Sequence, residues 1–284
     1  MTQPKYSEEF CNREYNNRAR VPGNELMHEA RVATAQAVRR SARCVLDLPY
    51  GSSQNERLDL FPANTPGGPL LVFIHGGFWR SRSKSDYSWL APAFQARGIS
   101  VALIDYDLAP AVRIETIVLQ TLRAIEWLWR AAERHHYDPS RIFVAGHSAG
   151  GHLTAMCLSA LWPLWDPDLP ADLVKGGVAI SGIYDLEPLL YASFVNVDLK
   201  LDATSAFRLS PAWMPAVRGA RLITCVGGDE TSEFRRQNAL LARRWRAVLD
   251  ADVPAPGRNH FTVLDALADP SHALFQRTVA LCKG

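Results

Sequence analysis

Residues 141–151 constrain the fold of this 284-residue chain more than any other segment. A short apolar run ends there in the sequence GHSAG, residues 146–150, and small, helix-compatible residues follow. Gly-x-Ser-x-Gly between a strand and a helix is typical of a sharp, strained turn that exposes the serine hydroxyl. Glycines flank the serine because a Cβ at either position would collide with the neighbouring strand or helix. The pattern predicts Ser148 as a nucleophile in an α/β fold.

A second motif indicates acyl-transfer chemistry. The sequence HGGFW, residues 75–79, directly follows the apolar run Leu70–Ile74. Gly-x-Ser-x-Gly alone occurs by chance in roughly one chain in ten of this length, whereas both motifs together occur in roughly one in a thousand. Glycines let the backbone approach a substrate, and N–H groups aimed at a developing oxyanion stabilise it. We expect the oxyanion hole to consist of the N–H groups of Gly77, Phe78 and Ala149.

Composition excludes several other classes of function. The chain is 48% hydrophobic and 21% charged, and its net charge of +2 favours neither nucleic acid nor a membrane surface. No apolar stretch reaches the ~20 residues of a membrane span, and the polar segment 1–10 lacks the apolar core of a secretory signal. Five scattered cysteines without a C-x-x-C pair indicate reduced thiols. We therefore expect a cytoplasmic protein with no nucleic-acid or membrane partner, and a homodimer is one possibility that these features leave open.

From residue 43 onward, apolar runs alternate with helical segments. Continuous apolar strands between helices predict a mostly parallel central sheet with helices on both faces, within a single α/β domain over residues 1–284. The predicted strands are Arg43–Leu48, Arg57–Phe61, Leu70–Ile74, Ser100–Asp105, Arg141–Ala145, Gly177–Ile180, Leu222–Val226 and Ala251–Ala255. The predicted helices are Asp86–Arg97, Ile114–His135, Ala149–Leu161, Glu233–Leu249 and Pro270–Cys282.

Two segments fall outside this alternation. Residues 1–42 are rich in arginine and predict a mainly helical N-terminal extension. Its arginines form a solvated face, or alternatively one of them reaches the active site and binds a carboxylate. Residues 182–217 are irregular and rich in aromatic side chains, and they predict a small cap inserted within the domain. Ligands of parallel sheets bind beyond the carboxyl ends of the strands, so this cap is expected to cover the substrate unless it is simply a packed helical excursion.

The order of residues along the chain selects a base and an acid. A serine hydroxyl needs a histidine base whose tautomer is fixed by a carboxylate, and both follow the serine in folds with this turn. His260 lies in a loop between the last predicted strand and the final helix, whereas the alternative, His272, lies at a helix start. Asp229 follows a predicted strand through two glycines, and Glu230 is its adjacent competitor. The predicted triad is Ser148, Asp229 and His260.

These motifs resemble the hormone-sensitive-lipase-like branch of the α/β hydrolases. The sequence SGIYDLEPL, residues 181–189, together with Ser210-Pro211 and GGDE, residues 227–230, is similar to the kynurenine formamidase (arylformamidase) family. The resemblance covers most of residues 70–265. It implies an α/β-hydrolase fold, hydrolysis of N-formylkynurenine to kynurenine and formate in tryptophan degradation, and Ser148, Asp229 and His260 as the triad.

Two positions depart from the pattern of that family. Members often have tyrosine where this chain has Phe78, and they commonly show Val-Asn-Asp where residues 194–198 read FVNVD. Both positions are expected to touch the substrate. The residues predicted to line the pocket are Trp79, His147, Tyr184, Phe194 and Asn196.

Two other functions stay open at this point. One is a carboxylesterase or amidase for another small aromatic compound, because one methyl group of pocket volume changes discrimination by only ~1–3 kcal/mol. The other is a non-catalytic ligand-binding protein, because a fold does not determine a function. The chain has no H-E-x-x-H motif and no cluster at metal-ligand spacing, so we expect neither a metal nor a cofactor. The expected partners are a small acyl substrate and water.

Overall fold

One eight-stranded sheet runs through the molecule, as the computed structural model shows for residues 5–284. The strands are β1 (Val45–Pro49), β2 (Arg57–Phe61), β3 (Gly68–Ile74), β4 (Ser100–Ile104), β5 (Tyr137–His147), β6 (Val174–Ile180), β7 (Arg221–Gly227) and β8 (Leu249–Ala255). Their order across the sheet is β1-β2-β4-β3-β5-β6-β7-β8. Strand β2 is antiparallel to both neighbours, and the remaining pairs are parallel. The predicted mostly parallel sheet is confirmed.

Helices surround the sheet and form the N-terminal extension. The α-helices are α1 (Glu8–Tyr15), α2 (Asn17–Arg20), α3 (Asn24–Ser41), α4 (Ala91–Gln95), α5 (Ile114–Arg130), α6 (Ala132–His135), α7 (Ala149–Ser159), α8 (Trp162–Trp165), α9 (Ser193–Leu199), α10 (Ala203–Arg208), α11 (Ser232–Arg244) and α12 (Ala273–Lys283). Short 3₁₀ helices span Lys84–Leu90, Glu187–Tyr191, Pro211–Trp213 and Thr262–Leu267. The predicted helix Glu233–Leu249 is too long, because Leu249 already pairs with Leu222 as the first residue of β8.

The two faces of the sheet carry separate hydrophobic cores. Successive side chains of a strand point to opposite faces, so Leu70, Val72 and Ile74 of β3 pack in one core, and Leu71 and Phe73 pack in the other. Helices α5 and α7 contribute to the first core, and α4 and α12 contribute to the second. The sheet therefore holds the carboxyl ends of its parallel strands at one rigid edge.

The N-terminal extension is helical over the part of residues 1–42 that the structure describes; residues 1–4 lie outside it. Helix α3 packs on the 3₁₀ helix Lys84–Leu90, and α1 packs on α11. The buried hydroxyl of Tyr15 donates a hydrogen bond to Glu233 at 2.8 Å and accepts one from Gln237 at 2.9 Å. A polar anchor thus joins the extension to α11.

The segment 182–217 lies between β6 and β7 and consists of α9, α10 and two 3₁₀ helices. It contacts α1 of the extension and α7 that follows the serine. His152 on α7 donates a 2.7 Å hydrogen bond from Nε2 to the carbonyl oxygen of Leu209 in this segment. The ring of His152 is fully buried and lies edge-on to Trp79. No helix within residues 5–284 combines the length and the apolar character that a membrane crossing requires.

Substituting Gly150 with alanine should destabilise the fold strongly. A Cβ at Gly150 would lie 1.9 Å from the carbonyl oxygen of Ile74, so α7 and β3 would have to separate. We expect the free energy of unfolding to fall by about 3 kcal/mol, at the upper end of the usual cost of overpacking. The measurement is urea denaturation. Gly219→Ala serves as the control, because no atom of residues 5–284 lies within 4 Å of the added Cβ. The positive φ of Gly219, which Gly150 lacks, gives this control a backbone cost of its own, so we expect it to lose about 1 kcal/mol. An equal loss in both variants would contradict this account.

The buried His152 should make stability depend on pH. Burial lowers the pKa of His152 from 6.5 to about 4. The folded-state pKa is the lower one, so the unfolded chain binds more protons between these two values. The contribution of His152 to the free energy of unfolding is therefore fully present above pH 6.5 and is lost as the pH falls toward 4. His152→Gln should reduce the slope of unfolding free energy against pH by about 1.4 kcal/mol per pH unit in this window. Urea denaturation from pH 4.5 to 7.5 measures the slope, and the exposed His136→Asn should leave it unchanged.

Candidate active site

Ser148 occupies a strained turn between β5 and α7. Its backbone has φ 57° and ψ −119°, a region that non-glycine residues rarely adopt. The Ser148 N–H donates a 2.9 Å hydrogen bond to the carbonyl oxygen of Ile180, which fixes the turn to the neighbouring strand. A Cβ at Gly146 would lie 2.1 Å from the carbonyl oxygen of Gly150. The packing therefore requires both flanking glycines, as the motif predicts.

His260 lies next to the serine. Its Nε2 is 3.1 Å from Ser148 Oγ, within reach for proton transfer. The side chain of Asn259 accepts hydrogen bonds from the N–H groups of Phe261 and Thr262 and so shapes the loop that carries the histidine. The ring of Phe234, 4.4 Å away between centroids, packs against the imidazole. The prediction that His260 rather than His272 approaches the serine agrees with this geometry.

The carboxylate that contacts His260 belongs to Glu230, and the prediction of Asp229 at this position is wrong. Glu230 Oε2 lies 2.6 Å from His260 Nδ1, and the Glu230 side chain is fully buried. Its other oxygen accepts hydrogen bonds from the Gly227 N–H at 2.8 Å and from the Ser181 hydroxyl at 2.5 Å. Asp229 is exposed, and only its backbone N–H bonds to the histidine loop, at Arg258. The arrangement brings Ser148, His260 and Glu230 together.

A four-residue β-turn over residues 227–230 explains why Glu230 rather than Asp229 reaches the histidine. The Glu230 N–H donates to the Gly227 carbonyl, so the chain turns back and residue 230 faces the sheet edge. Thr231 then caps α11 through a hydrogen bond from the N–H of Phe234. Sequence order placed the acid within this turn but could not tell which of two adjacent carboxylates points inward.

His147 supports the loop that carries His260. Its Nε2 lies 2.8 Å from the backbone carbonyl oxygen of His260, and because a carbonyl can only accept, Nε2 carries the proton. Burial and the adjacent His260 hold the pKa of His147 well below its ordinary value. His147 is therefore a neutral donor that links the turn before the serine to the histidine loop.

Three backbone N–H groups are available beside Ser148. Gly77 has φ 107° and Phe78 has φ 52°, and neither N–H donates a hydrogen bond to any acceptor within residues 5–284. Ala149 is the first residue of α7, where an N–H has no partner inside the helix. A Cβ at Gly76 would lie 2.7 Å from the carbonyl oxygen of His147, so the HGG loop packs directly on the serine turn. This placement is compatible with the predicted oxyanion hole.

Ser148 and His260 open into a cavity of about 280 Å³. Aromatic and aliphatic side chains line part of it: Phe78, Tyr87, Phe194, Phe261 and Leu264. The N-terminal extension supplies a second, polar part: Asn16, Asn17, Arg18, Asn24, His28 and Arg31. The extension thus covers the cavity to a greater extent than the segment 182–217, which contributes Phe194.

Of the five predicted pocket residues, His147 and Phe194 line the cavity, and the prediction is wrong for the other three. Trp79 is fully buried behind the HGG loop against His152. Tyr184 is also fully buried, and its hydroxyl accepts a hydrogen bond from the Gly182 N–H. The Asn196 amide bonds the backbone of Leu201 at the end of α9. Each of these side chains satisfies a local packing or capping need.

The sequence analysis did not identify which residues of the extension form the polar part of the cavity wall. The signal was the run YNNR, residues 15–18, where Tyr15 anchors the segment and the next three residues face the cavity. The alternative that an arginine of the extension reaches the active site agrees with the positions of Arg18 and Arg31. In the part of the chain that the structure describes, no three histidine, cysteine or carboxylate side chains are placed to hold a metal ion.

Glu230→Gln should lower kcat for any acyl substrate by roughly 10³–10⁴, because the amide no longer fixes the His260 tautomer or stabilises the imidazolium. Asp229→Asn, the matched change one residue earlier, should leave kcat within about threefold, because removing an exposed charge disturbs little. Steady-state hydrolysis of p-nitrophenyl acetate measures both variants. A large loss in Asp229→Asn with an active Glu230→Gln would reverse the assignment.

Known proteins share this architecture. Residues 71–219 match the family described as alpha/beta hydrolase fold. Kynurenine formamidase of Salmo salar is 31% identical over 247 residues, which cover 83% of this chain and 81% of that protein. Kynurenine formamidase of Danio rerio is 29% identical over 251 residues, covering 84% and 82%. The crystal structure of a candidate thioesterase from Silicibacter sp. TM1040 has a TM-score of 0.84 and 34% identity, covering 96% of this chain and 98% of that one.

Proposed function

Since this chain belongs to the α/β-hydrolase fold family and is a serine hydrolase related to kynurenine formamidases, we propose that it hydrolyses a small aromatic formamide, with N-formyl-L-kynurenine as the substrate. The observation that carries the proposal is the series of contacts from Ser148 Oγ to His260 and from His260 to Glu230. Ser148 and His260 line a cavity that has aromatic walls. Two relatives that carry the kynurenine formamidase name match more than four fifths of the chain, which supports the choice of substrate.

The geometry supports a two-step acyl transfer. His260 Nε2 takes the Ser148 proton as Oγ attacks the formyl carbon, and the oxyanion accepts hydrogen bonds from the N–H groups of Gly77, Phe78 and Ala149. His260 then gives the proton to the departing aromatic amine as the C–N bond breaks, which leaves a formyl ester on Ser148. A water molecule, deprotonated by His260, attacks this ester and releases formate. Glu230 holds the imidazole in the required tautomer throughout.

An ester or thioester substrate is the second candidate. The specific observation in its favour is the similarity over almost the whole chain to a solved structure described as a candidate thioesterase. The same triad and N–H groups serve ester, thioester and amide carbonyls, so the acyl group and the leaving group distinguish the candidates. A formyl group needs little space beside Ser148, whereas acetyl and butyryl groups need more.

We also propose that the enzyme works in the cytoplasm. All five cysteines are free thiols, and four of them are buried in the described structure. Reduced thiols are usual in reducing compartments, which supports this location. A homodimer stays a prediction.

Turnover of N-formyl-L-kynurenine tests the proposal. We expect kcat/KM for this formamide to exceed that for p-nitrophenyl acetate and butyrate by at least about tenfold, and Ser148→Ala to lower the formamide rate by roughly 10⁵ or more. Kynurenine absorbance and formate release are the readouts. Ester turnover without formamide turnover would retain the triad and reject the substrate. Formamide turnover that survives Ser148→Ala would reject the nucleophile.

A further inference from the structure

Four arginine side chains line the cavity that contains Ser148: Arg18, Arg31, Arg80 and Arg82. Two of them are engaged by carboxylates at short distance. Arg31 Nη2 lies 2.6 Å from Asp265 Oδ1, and Arg80 Nη1 lies 2.5 Å from Asp198 Oδ2. These two guanidinium groups therefore have their charge balanced within the protein.

Arg82 differs from these two. Its side chain is only 15% exposed, yet the guanidinium makes no hydrogen bond within residues 5–284, and its nearest carboxylate oxygen, Glu25 Oε2, is 3.5 Å away. A guanidinium carries five donors, and donors removed from water without an acceptor cost free energy. Arg82 also has φ 77°, and such strained non-glycine backbone is concentrated at functional sites. The group has unused binding capacity that faces the cavity.

Arg18 adds a second weakly engaged charge. Its Nε lies 3.7 Å from Glu25, which it shares with Arg82, and within residues 5–284 its guanidinium makes one long hydrogen bond, 3.4 Å to the Ser81 hydroxyl. Glu25 itself is 56% exposed and does not line the cavity, so solvent screens its attraction to both arginines. The two guanidinium groups are thus available to a ligand.

The charges around this position also include a histidine and a carboxylate. His28 Nε2 lies 3.7 Å from Asp86, and burial together with Arg82 lowers the pKa of His28 below its ordinary value. Among residues 5–284, Asp86 is the one acidic side chain in the cavity lining, and a neutral His28 does not balance its charge. Asp86 accepts a hydrogen bond from the Ser83 N–H and would attract a ligand ammonium group but repel a carboxylate beside it. The arrangement suits an anion at Arg82 and tolerates a cation at Asp86.

We propose that Arg82, assisted by Arg18, binds a carboxylate on the leaving group of the substrate, so that the enzyme selects acidic aromatic formamides over neutral ones. Arginine presents paired donors that match the two oxygens of a carboxylate. The formamide part of this inference rests on the proposed function, whereas the carboxylate part rests on the cavity. Arg82 follows the HGG loop by five residues, so the same loop supplies oxyanion donors and the specificity-determining charge.

Calorimetric titration of the Ser148→Ala protein tests carboxylate binding without any turnover. The probes are L-kynurenine, its des-amino analogue 4-(2-aminophenyl)-4-oxobutanoate, and 2-aminoacetophenone, which lacks the carboxylate. We expect both carboxylates to bind roughly 10- to 100-fold more tightly than the neutral ketone. The des-amino analogue separates binding of the carboxylate from any attraction between the kynurenine ammonium and Asp86.

Adding Arg82→Gln should remove this preference while changing the affinity for 2-aminoacetophenone by less than about threefold. Arg20→Gln is the matched control, because Arg20 is exposed on α2 and does not line the cavity. Circular dichroism and thermal unfolding verify each variant. If Arg82→Gln does not fold, Arg18→Gln replaces it, because the Arg18 side chain is largely exposed. We then expect affinity for the two carboxylates alone to fall about three- to tenfold.

Three results would overturn the inference. They are equal affinity for the three probes, no measurable binding of kynurenine, and an equal loss of affinity for all three probes in the arginine variants. Its failure is separable from failure of the proposed function. Wild-type enzyme that hydrolyses N-formyl-L-kynurenine and 2-formamidoacetophenone with equal kcat/KM would be a formamidase without carboxylate selection. Carboxylate binding without formamide turnover would retain the arginine site and reject the formamide substrate.

Discussion

The close approach of α7 to the sheet is the constraint on which the rest of the site depends. Side chains at residues 146 and 150 would collide with backbone atoms at about 2 Å, so the helix can begin directly at the strand end only with glycine there. This approach holds Ser148 in a strained conformation and places the N–H of Ala149, which has no partner within α7, beside it. The HGG loop then packs on the same turn and completes the set of donors.

The buried Glu230 carboxylate is the second organising element. One oxygen is held by the Gly227 N–H and the Ser181 hydroxyl, and the other faces His260. A carboxylate removed from water in this way needs several donors, and the residue after β6, the last residue of β7 and the histidine loop each provide one. Glu230 therefore fixes the ends of β6 and β7 and the loop of His260 relative to one another.

Most of the fold and two members of the triad could be predicted from sequence, because they follow from short-range patterns. Apolar runs located all eight strands, and Gly-x-Ser-x-Gly located Ser148. The choice between Asp229 and Glu230 could not be made, since it depends on which way a tight turn directs two adjacent side chains. The prediction that Trp79, Tyr184 and Asn196 line the pocket is wrong for a similar reason: an aromatic or amide side chain near a site can equally well pack inward or cap a helix. The polar lining from residues 16–31 depends on long-range docking through Tyr15, which leaves no periodic pattern in the sequence.

Docking of the N-terminal extension through Tyr15 gives the enzyme two regions with separate roles. The nucleophile, base, acid and oxyanion donors all belong to the sheet and its adjoining turns, whereas much of the cavity's polar wall belongs to a separate helical segment attached at its own anchor. Substitutions in the first 42 residues can therefore alter which leaving groups are accepted without disturbing the atoms that perform the chemistry.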